Sequence, residues 1–419
     1  MSESASFRDS GILWAPQIPS DWDVKPFAAA FQETRKRNTG MVEHNLLSLS
    51  FGRIVRKPIN TETGLLPESF ETYQIVEPDT LVFRFTDLQN DQRSLRTARV
   101  TERGIITSAY GAATPIGLDA RFADYLMRSY DTTKVFYSFG GGVRQSLKLR
   151  DIARMPVIAP PNSIQRMIAD YLDRETAQID TLIAKQEQLV SVLEERRASM
   201  VDAGLRSTKS FVTVQLRRVL QRVDQGVSPQ AGAFPATEPH EIGVLKSGCV
   251  NHGIFREGEN KSLPLDFEYA TELLARPGDL LVSRASGSPG LVGSAAVVEH
   301  VTAKLLLSDK LFRLVGTDRI ESRFLYWFLN SRGYRGQVRQ AISGAEGLAN
   351  NLPLSALKRF RIHLPPLDEQ RRIVAYLDEQ TAKIDTLIAK AQRFIELAKE
   401  RREALITAAV TGQLDVTAA

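Results

Sequence analysis

Arginine, lysine, glutamine and asparagine gather at a few places in the chain where turns or element ends are expected. Arg84 is followed by Gln89, Asn90, Arg93, Arg96 and Arg99, and Arg144 and Gln145 follow Gly140-Gly141-Gly142. In the second half come Lys261, then Arg284 with Ser286, then Arg335, Arg339 and Gln340. These residue types suit nucleic acid: a guanidinium fork matches the guanine edge, an amide matches adenine, and a basic group holds a phosphate. A charged loop is also what any solvated face looks like, so the clusters carry more weight than their members.

Chemistry of other kinds finds little footing. A methyltransferase needs an Asn/Asp-Pro-Pro-aromatic signature, but the two Pro-Pro pairs here are followed by Asn162 and Leu367. The phosphate-binding pattern G-x-x-x-x-G-K-[ST] is absent, and Gly287 to Gly293 does not fit the dinucleotide fingerprint. No Ser/His/Asp or Cys/His set has an arguable proximity. Five scattered histidines and the lone Cys249 offer neither metal-ligand spacing nor an internal disulfide. The sequence therefore reads as a non-catalytic chain with no metal site and no cofactor of its own.

What must position the polar clusters is a repeat. The heptapeptide IDTLIAK stands at Ile179 to Lys185 and again at Ile384 to Lys390, 205 positions on. At that offset Pro160-Pro161 meets Pro365-Pro366, Gln165-Arg166 meets Gln370-Arg371, and Glu195-Arg196-Arg197 meets Glu400-Arg401-Arg402 without a gap. Each Pro-Pro pair excludes helix through itself and marks a helix start, with Asn162 or Ser163 and Asp368 as first-turn or capping residues. Apolar residues then recur in heptad steps at Ile168, Leu172, Ile179, Leu182, Leu189, Leu193 and Met200. The second copy has Ile373, Leu377, Ile384, Leu387, Phe394, Ala398 and Leu405, while Ile183, Val190, Ile388 and Ile395 flank the two seams. Helices of about 45 residues need partners. The spacing predicts that the two copies pair antiparallel about a pseudo-twofold axis, the alternative being two independent helices, each lying on its own domain.

Before each helix lies a different kind of segment. TYQIVEPDTLVFRF and RGIITSAY in the first, and GDLLVSRASG and LVGSAAVVEH in the second, are short β-rich runs broken by Gly, Pro and Asp. Each segment ends in an aromatic helical stretch, RFADYLMRSY or RFLYWFLNSR. The layout is shared and most residues are not, which suits a common frame holding two different readers.

Composition agrees with this plan. The 419 residues exceed one ordinary core, and 43% hydrophobic with 25% charged residues is a soluble globular balance. No apolar run reaches membrane-spanning length, and the first residues lack a secretory leader, so cytoplasmic residence is expected. A net charge of +5 leaves room for locally basic surfaces.

PPLDEQRRIVAYLDEQTAKIDTLI, its twin PPNSIQRMIADYLDRETAQIDTLI, and LLPESFETYQIVEPDTLVFRFTDLQNDQRSLRTARV resemble specificity subunits of type I restriction-modification systems. One departure is Asn162-Ser163-Ile164 where the second copy has Leu367-Asp368-Glu369. The resemblance implies an α+β fold with two β-rich target recognition domains, residues 1–158 and 208–363, and two conserved helices, 159–207 and 364–419, forming an antiparallel coiled coil. It implies that each recognition domain reads half of a bipartite site in double-stranded DNA. The helices would set the spacer and dock two methyltransferase (M) subunits, with restriction/translocase (R) subunits completing the complex. S-adenosylmethionine, ATP and Mg would belong to those partners. The rival reading is a coiled-coil scaffold whose two heads bind proteins; a third is an enzyme whose site leaves no sequence signature.

Overall fold

The two proline pairs do start helices. In the computed structural model the described residues are 6–59, 69–86, 88, 91, 94–139, 147–208, 210–342 and 350–416. Among them the α-helices are α1 (Phe27–Ala30), α2 (Ala120–Thr132), α3 (Asn162–Leu205), α4 (Ser322–Leu329), α5 (Arg332–Ala341), α6 (Leu354–Leu357) and α7 (Leu367–Val410). The long helices α3 and α7 have 44 residues each and stand in the same 205-residue register as the repeat. The chain packs as two compact units, one made of Met1–Glu187 with Gln392–Ala419 and the other of Gln188–Ala391. Each unit thus owns half of α3 and half of α7.

The glutamine repeated after each proline pair explains why the helix begins where it does. Gln165 Nε2 donates to the Pro160 carbonyl at 2.7 Å while its Oε1 accepts the Asp119 N–H, also at 2.7 Å. Gln370 repeats this with the Pro365 carbonyl at 2.8 Å and the Glu321 N–H at 2.8 Å, and adds the Arg319 carbonyl at 3.0 Å. Asp119 and Glu321 are in turn the N-caps of α2 and α4. One buried amide therefore satisfies backbone groups at two helix starts and fixes the short aromatic helix against the long one. Asn162 and Asp368 sit inside the first turn, where α7 alone carries acidic residues, Asp368 and Glu369.

Within each unit the helix halves run antiparallel. In the second unit Arg197 meets Asp385 at 2.7 Å, and the position of a Cβ on Gly204 lies against Leu377. In the first, Arg402 meets Asp180 at 3.0 Å, and Ile168 and Leu172 share a core with Ile406 and Val410. The two ion pairs are the same pair, displaced by 205 residues with the partners exchanged.

The seam expected from apolar spacing needs correcting. Ile168, Leu172, Leu193, Ile373, Leu377 and Ile384 are buried and Ile179 is half-buried, but Leu182, Leu189, Leu387 and Phe394 are 47%, 43%, 50% and 41% exposed. Ile183 is buried, and Val190, Ile388 and Ile395, treated above as flanking, are half-buried. The inward row runs 172, 176, 179, 183, 186, 190, 193, alternating steps of four and three. It passes through Thr176 and Gln186, so counting apolar residues alone slips onto the neighbouring leucines. Thr176 tolerates burial because its hydroxyl bonds the Leu172 carbonyl at 2.6 Å, and Thr381 does the same to Leu377.

The β-rich parts follow one plan. The first unit has an antiparallel four-stranded sheet in the order Thr97–Arg99, Leu81–Phe83, Gly111–Pro115, Phe31–Glu33, and a three-stranded sheet of Gly104–Ile106, Gln74–Val76 and Lys36–Arg37. In the second unit the four-stranded sheet is Leu220–Gln225, Leu311–Gly316, Leu280–Ser283, Ala295–Val297, and the three-stranded one is Asn260–Leu263, Ile242–Leu245, Lys304–Leu306. A two-stranded ribbon leads to each long helix: Pro156–Ala159 pairs with Asp23–Pro26, and Arg361–Leu364, 205 residues on, pairs with Val212–Gln215. Sheet, short helix and long-helix halves share one core per unit: Leu81, Phe83, Phe122, Leu126, Leu172 and Ile406 in the first, Leu280, Phe312, Phe324, Trp327, Val201 and Leu377 in the second. The fold is α+β, with β-rich domains built onto an antiparallel pair of long helices.

Candidate nucleic-acid interface

In the first unit, strands Leu81–Phe83 and Thr97–Arg99 pair with Phe83 opposite Thr97, which puts Arg84 and Arg96 side by side just beyond the ladder. The Arg84 N–H donates to the Arg96 carbonyl at 2.8 Å and extends the pairing by one rung. Arg84 is half-buried. Arg96, expected as a reader, is fully buried: its guanidinium donates to the carbonyls of Thr86 and Asp91 and lies 3.8 Å from the Asp91 carboxylate. It is an internal strut that ties Thr86 to Asp91, because a guanidinium taken out of water must satisfy its donors within the protein. Arg99 pairs with Asp79 at 2.8 Å near the surface. Gln89, Asn90, Arg93, Arg144 and Gln145 lie outside the described residues.

The second unit brings together residues that the sequence keeps apart. Lys261 is exposed on its strand, opposite Val244 in register. Arg284 sends Nη1 to the Asp309 carbonyl at 3.1 Å, and its own N–H bonds the Lys310 carbonyl at 2.8 Å. A cavity of about 190 Å³ is lined by Lys246, Lys261 and Lys310 together with Asp309. Arg284 is thus tied to the turn that borders Lys261. Ser286 lies on the short ribbon Ala285–Ser286 with Asn350–Asn351, and its hydroxyl accepts the Ser288 N–H at 3.2 Å.

On α5, Arg332, Arg335 and Arg339 occupy positions of one helical face and line a cavity of about 480 Å³ with Pro289 and Gly290. Arg335 is half-buried and donates to the carbonyls of Val292 at 2.5 Å and Gly290 at 2.6 Å, and burial pulls its pKa below the usual value. It holds the glycine-rich 287–293 turn in place. Arg339 and Gln340 are exposed beside it. Three lysines and an exposed arginine around loops and a helix face supply what phosphate contacts require: positive charge on flexible stems near backbone turns.

Residues 240–396, which hold both of these clusters, match the family model described as the type I restriction modification DNA specificity domain. Beyond that match, the chain is similar to type I restriction-modification specificity subunits. It is 23% identical over 357 residues to the EcoEI specificity subunit of Escherichia coli, a match covering 84% of this chain and 58% of that one. To the StySPI specificity subunit of Salmonella potsdam it is 24% identical over 276 residues, covering 63% and 58%. The matched portion therefore spans less than two thirds of these relatives' own length. Among solved structures the fold is similar to a chain of a type I R-M system studied for complex assembly and conformational transition, with a TM-score of 0.64, 17% identity, and coverage of 95% of this chain and 99% of that one.

Reading the sequence alone misses Lys246 and Lys310, and also Arg332 at the head of the run that holds Arg335 and Arg339. It also misses a charged cavity of about 360 Å³ in the first unit, lined by Arg53, Arg99, Arg121, Arg128 and Arg402 with Asp124, Asp173 and Asp180. Arg53 and Arg402 both approach Asp180, at 3.6 and 3.0 Å, so the hairpin Leu47–Ser50/Arg53–Arg56 is tied to α3 at the aspartate that also pairs with α7. Burial raises the Asp124 carboxyl above its ordinary value, against the pull of Arg128 and Arg99. Among the described residues no helix is long and apolar enough to cross a membrane.

Proposed function

We propose that the chain reads a bipartite, asymmetric sequence in double-stranded DNA, residues 1–158 taking one half-site and 208–363 the other. The observation that carries this reading is the repetition of one helix frame, down to the glutamine lock and the arginine–aspartate pair, beneath two β-rich segments of different sequence. A duplicated frame with unlike readers recognises two unlike half-sites, and rigid helices between readers fix the spacer, as dimer geometry does in other DNA-binding proteins. Arg84, Arg99, Lys261, Arg284, Arg339 and Gln340 are the side chains we assign to DNA, with Ser286 and Arg335 shaping the turns between them. Phosphate contacts by the lysines make binding salt-dependent.

The helices also dock partners in this reading. The first unit exposes Leu182, Phe394 and Leu397, and the second exposes Leu387, Leu189 and Val192, the same three positions under the 205-residue offset. Exposed apolar residues at heptad spacing on a long helix favour another helix as partner. Two equivalent patches suit two copies of one partner, which we take to be M subunits carrying S-adenosylmethionine, with R subunits bringing ATP and Mg. The chain itself supplies no chemistry to the reaction, and it acts where genomic DNA is, in the cytoplasm.

Mapping methylated adenines in genomic DNA from cells with and without the gene tests the reading. Loss of one bipartite motif on deletion is the expected result, and an unchanged methylation pattern overturns it.

A further inference from the structure

Ser308 in the second unit is only 7% exposed, yet its Oγ has no hydrogen-bond partner. A hydroxyl taken out of water costs free energy unless a polar group meets it. The backbone around it is held fast. Val227 bridges to Ser308, the Gly226 N–H donates to the Ser308 carbonyl at 3.2 Å, and the Asp309 N–H donates to the Val227 carbonyl at 3.1 Å. The two segments cross so closely that a Cβ on Gly226 would lie 1.7 Å from the Leu307 carbonyl oxygen.

Ser308 lines the same cavity of about 190 Å³ as Lys246, Lys261 and Lys310. Lys261 stands opposite Val244, and Lys246, two residues beyond Val244, continues that pairing with its N–H on the Glu259 carbonyl at 2.9 Å. The period of two therefore puts both lysines on one face of the sheet. Lys310 follows Ser308 by two residues, in the turn whose Asp309 carbonyl accepts the Arg284 guanidinium at 3.1 Å. Two carboxylates oppose an anion here: Glu259 lies 3.7 Å from Lys246, and Asp309 is part of the lining. Four cations outnumber them, and neither Lys261 nor Lys310 makes an ion pair with another described residue.

We propose that this cavity seats a single phosphate group, with the Ser308 hydroxyl donating to one of its oxygens and the lysines meeting the others. Its volume of about 190 Å³ falls below the roughly 300–1,000 Å³ of sites for drug-sized ligands and suits one tetrahedral group. Ser228, Lys261 and Lys310 are exposed, so the cavity opens to solvent and a phosphate carried on a chain can enter. The phosphate chemistry stands on the cavity alone. Taking the group from the backbone of the half-site read by residues 208–363 rests on the function proposed above.

Two probes on the full-length chain separate the sources: a non-specific fluorescent duplex, followed by anisotropy over a series of salt concentrations, and inorganic phosphate, followed by broadening of its phosphorus NMR line. Ser308→Ala deletes only the unpartnered hydroxyl, so unfolding temperature should hold or rise. It should weaken duplex binding by about fivefold or more, while Lys310→Ala lowers the slope of log affinity against log salt by about one. Asp309→Asn removes an opposing charge and should strengthen binding. Phosphate broadening that Ser308→Ala abolishes, with duplex binding unchanged, keeps the seat and assigns it to a free phosphate or phosphomonoester. Insensitivity of both probes to Ser308→Ala overturns the proposal, as does a fall in its unfolding temperature, which would give the hydroxyl a structural partner. A wild-type chain that binds no duplex yet holds phosphate through Ser308 overturns the DNA reading and leaves the seat standing.

Discussion

The junction between short and long helix is built twice, and the two versions differ in an instructive way. In the first unit Arg121 reaches Asp170 and Asp173, and the Tyr125 hydroxyl donates to Asp173 at 2.8 Å. In the second, Arg323 and the Trp327 indole N–H both meet Asp378, at 3.2 and 2.9 Å. Asp173 and Asp378 are the same position of the repeat, and so are Arg121 and Arg323. On the neighbouring face of the same short helices the likeness stops. Asp124 and Arg128 line the charged cavity of the first unit, whereas their counterparts Tyr326 and Asn330 bond the carbonyls of Gly253 and Ala295. Tyr326 packs on Trp327 with Arg323 over both rings and Arg197 over Trp327. Positions that hold the frame keep their chemistry, and positions facing the variable β-rich part are free to be charged and hollow or aromatic and filled.

The sharpest test of that difference is Trp327→Ala. It removes a buried indole from the filled junction and should destabilise the second unit by about 3–5 kcal/mol, read from local hydrogen exchange. Tyr125→Ala, beside an existing cavity, should cost clearly less; equal losses would dissolve the contrast. The shared part is probed by Gln165→Ala and Gln370→Ala. Each strands buried backbone groups at two helix starts, so denaturant unfolding should show losses of about 2–3 kcal/mol, alike within about 1 kcal/mol. Unequal losses beyond that would mean the lock is not one device.

Acid titration separates the units again. Burial lifts the Asp131 carboxyl to about 6, against the Arg96 backbone N–H and the charges of Arg128, Lys134 and Arg96. Its counterpart in the second unit is Gly333. A carboxyl raised in the folded state binds its proton more tightly than the unfolded chain does. Its contribution is therefore full below about pH 4 and is lost as pH rises through about 6. Hydrogen exchange of the first unit should show a loss of no more than about 3 kcal/mol over that window, and Asp131→Asn should flatten it. Persistence of the slope in the variant would place the titration elsewhere. The smallest effect belongs to the paired aspartates. Asp180→Ala and Asp385→Ala should each cost under about 1 kcal/mol in thermal unfolding, the former more because Asp180 meets two arginines.

Much of the frame was legible in the residue string. The exact repeat located both long helices, the proline pairs gave their starts, and the aromatic stretches became α2 and α4. The role of Gln165 and Gln370 was not, since their partners at Asp119 and Glu321 lie more than 40 residues away in sequence. The candidate polar residues stood out only as clusters: Arg96 turned inward, Arg335 braces a turn, and Lys246 and Lys310 joined Lys261 from separate parts of the chain.

The sequence by itself determined that a frame is duplicated and helical, because identical residues at one offset and heptad spacing are properties of a linear chain. Which helical face is buried and which arginines meet water were decided only by tertiary structure. Those outcomes depend on what packs against each side chain, and a threonine or glutamine can hold an inward position once its hydroxyl or amide finds a backbone partner there.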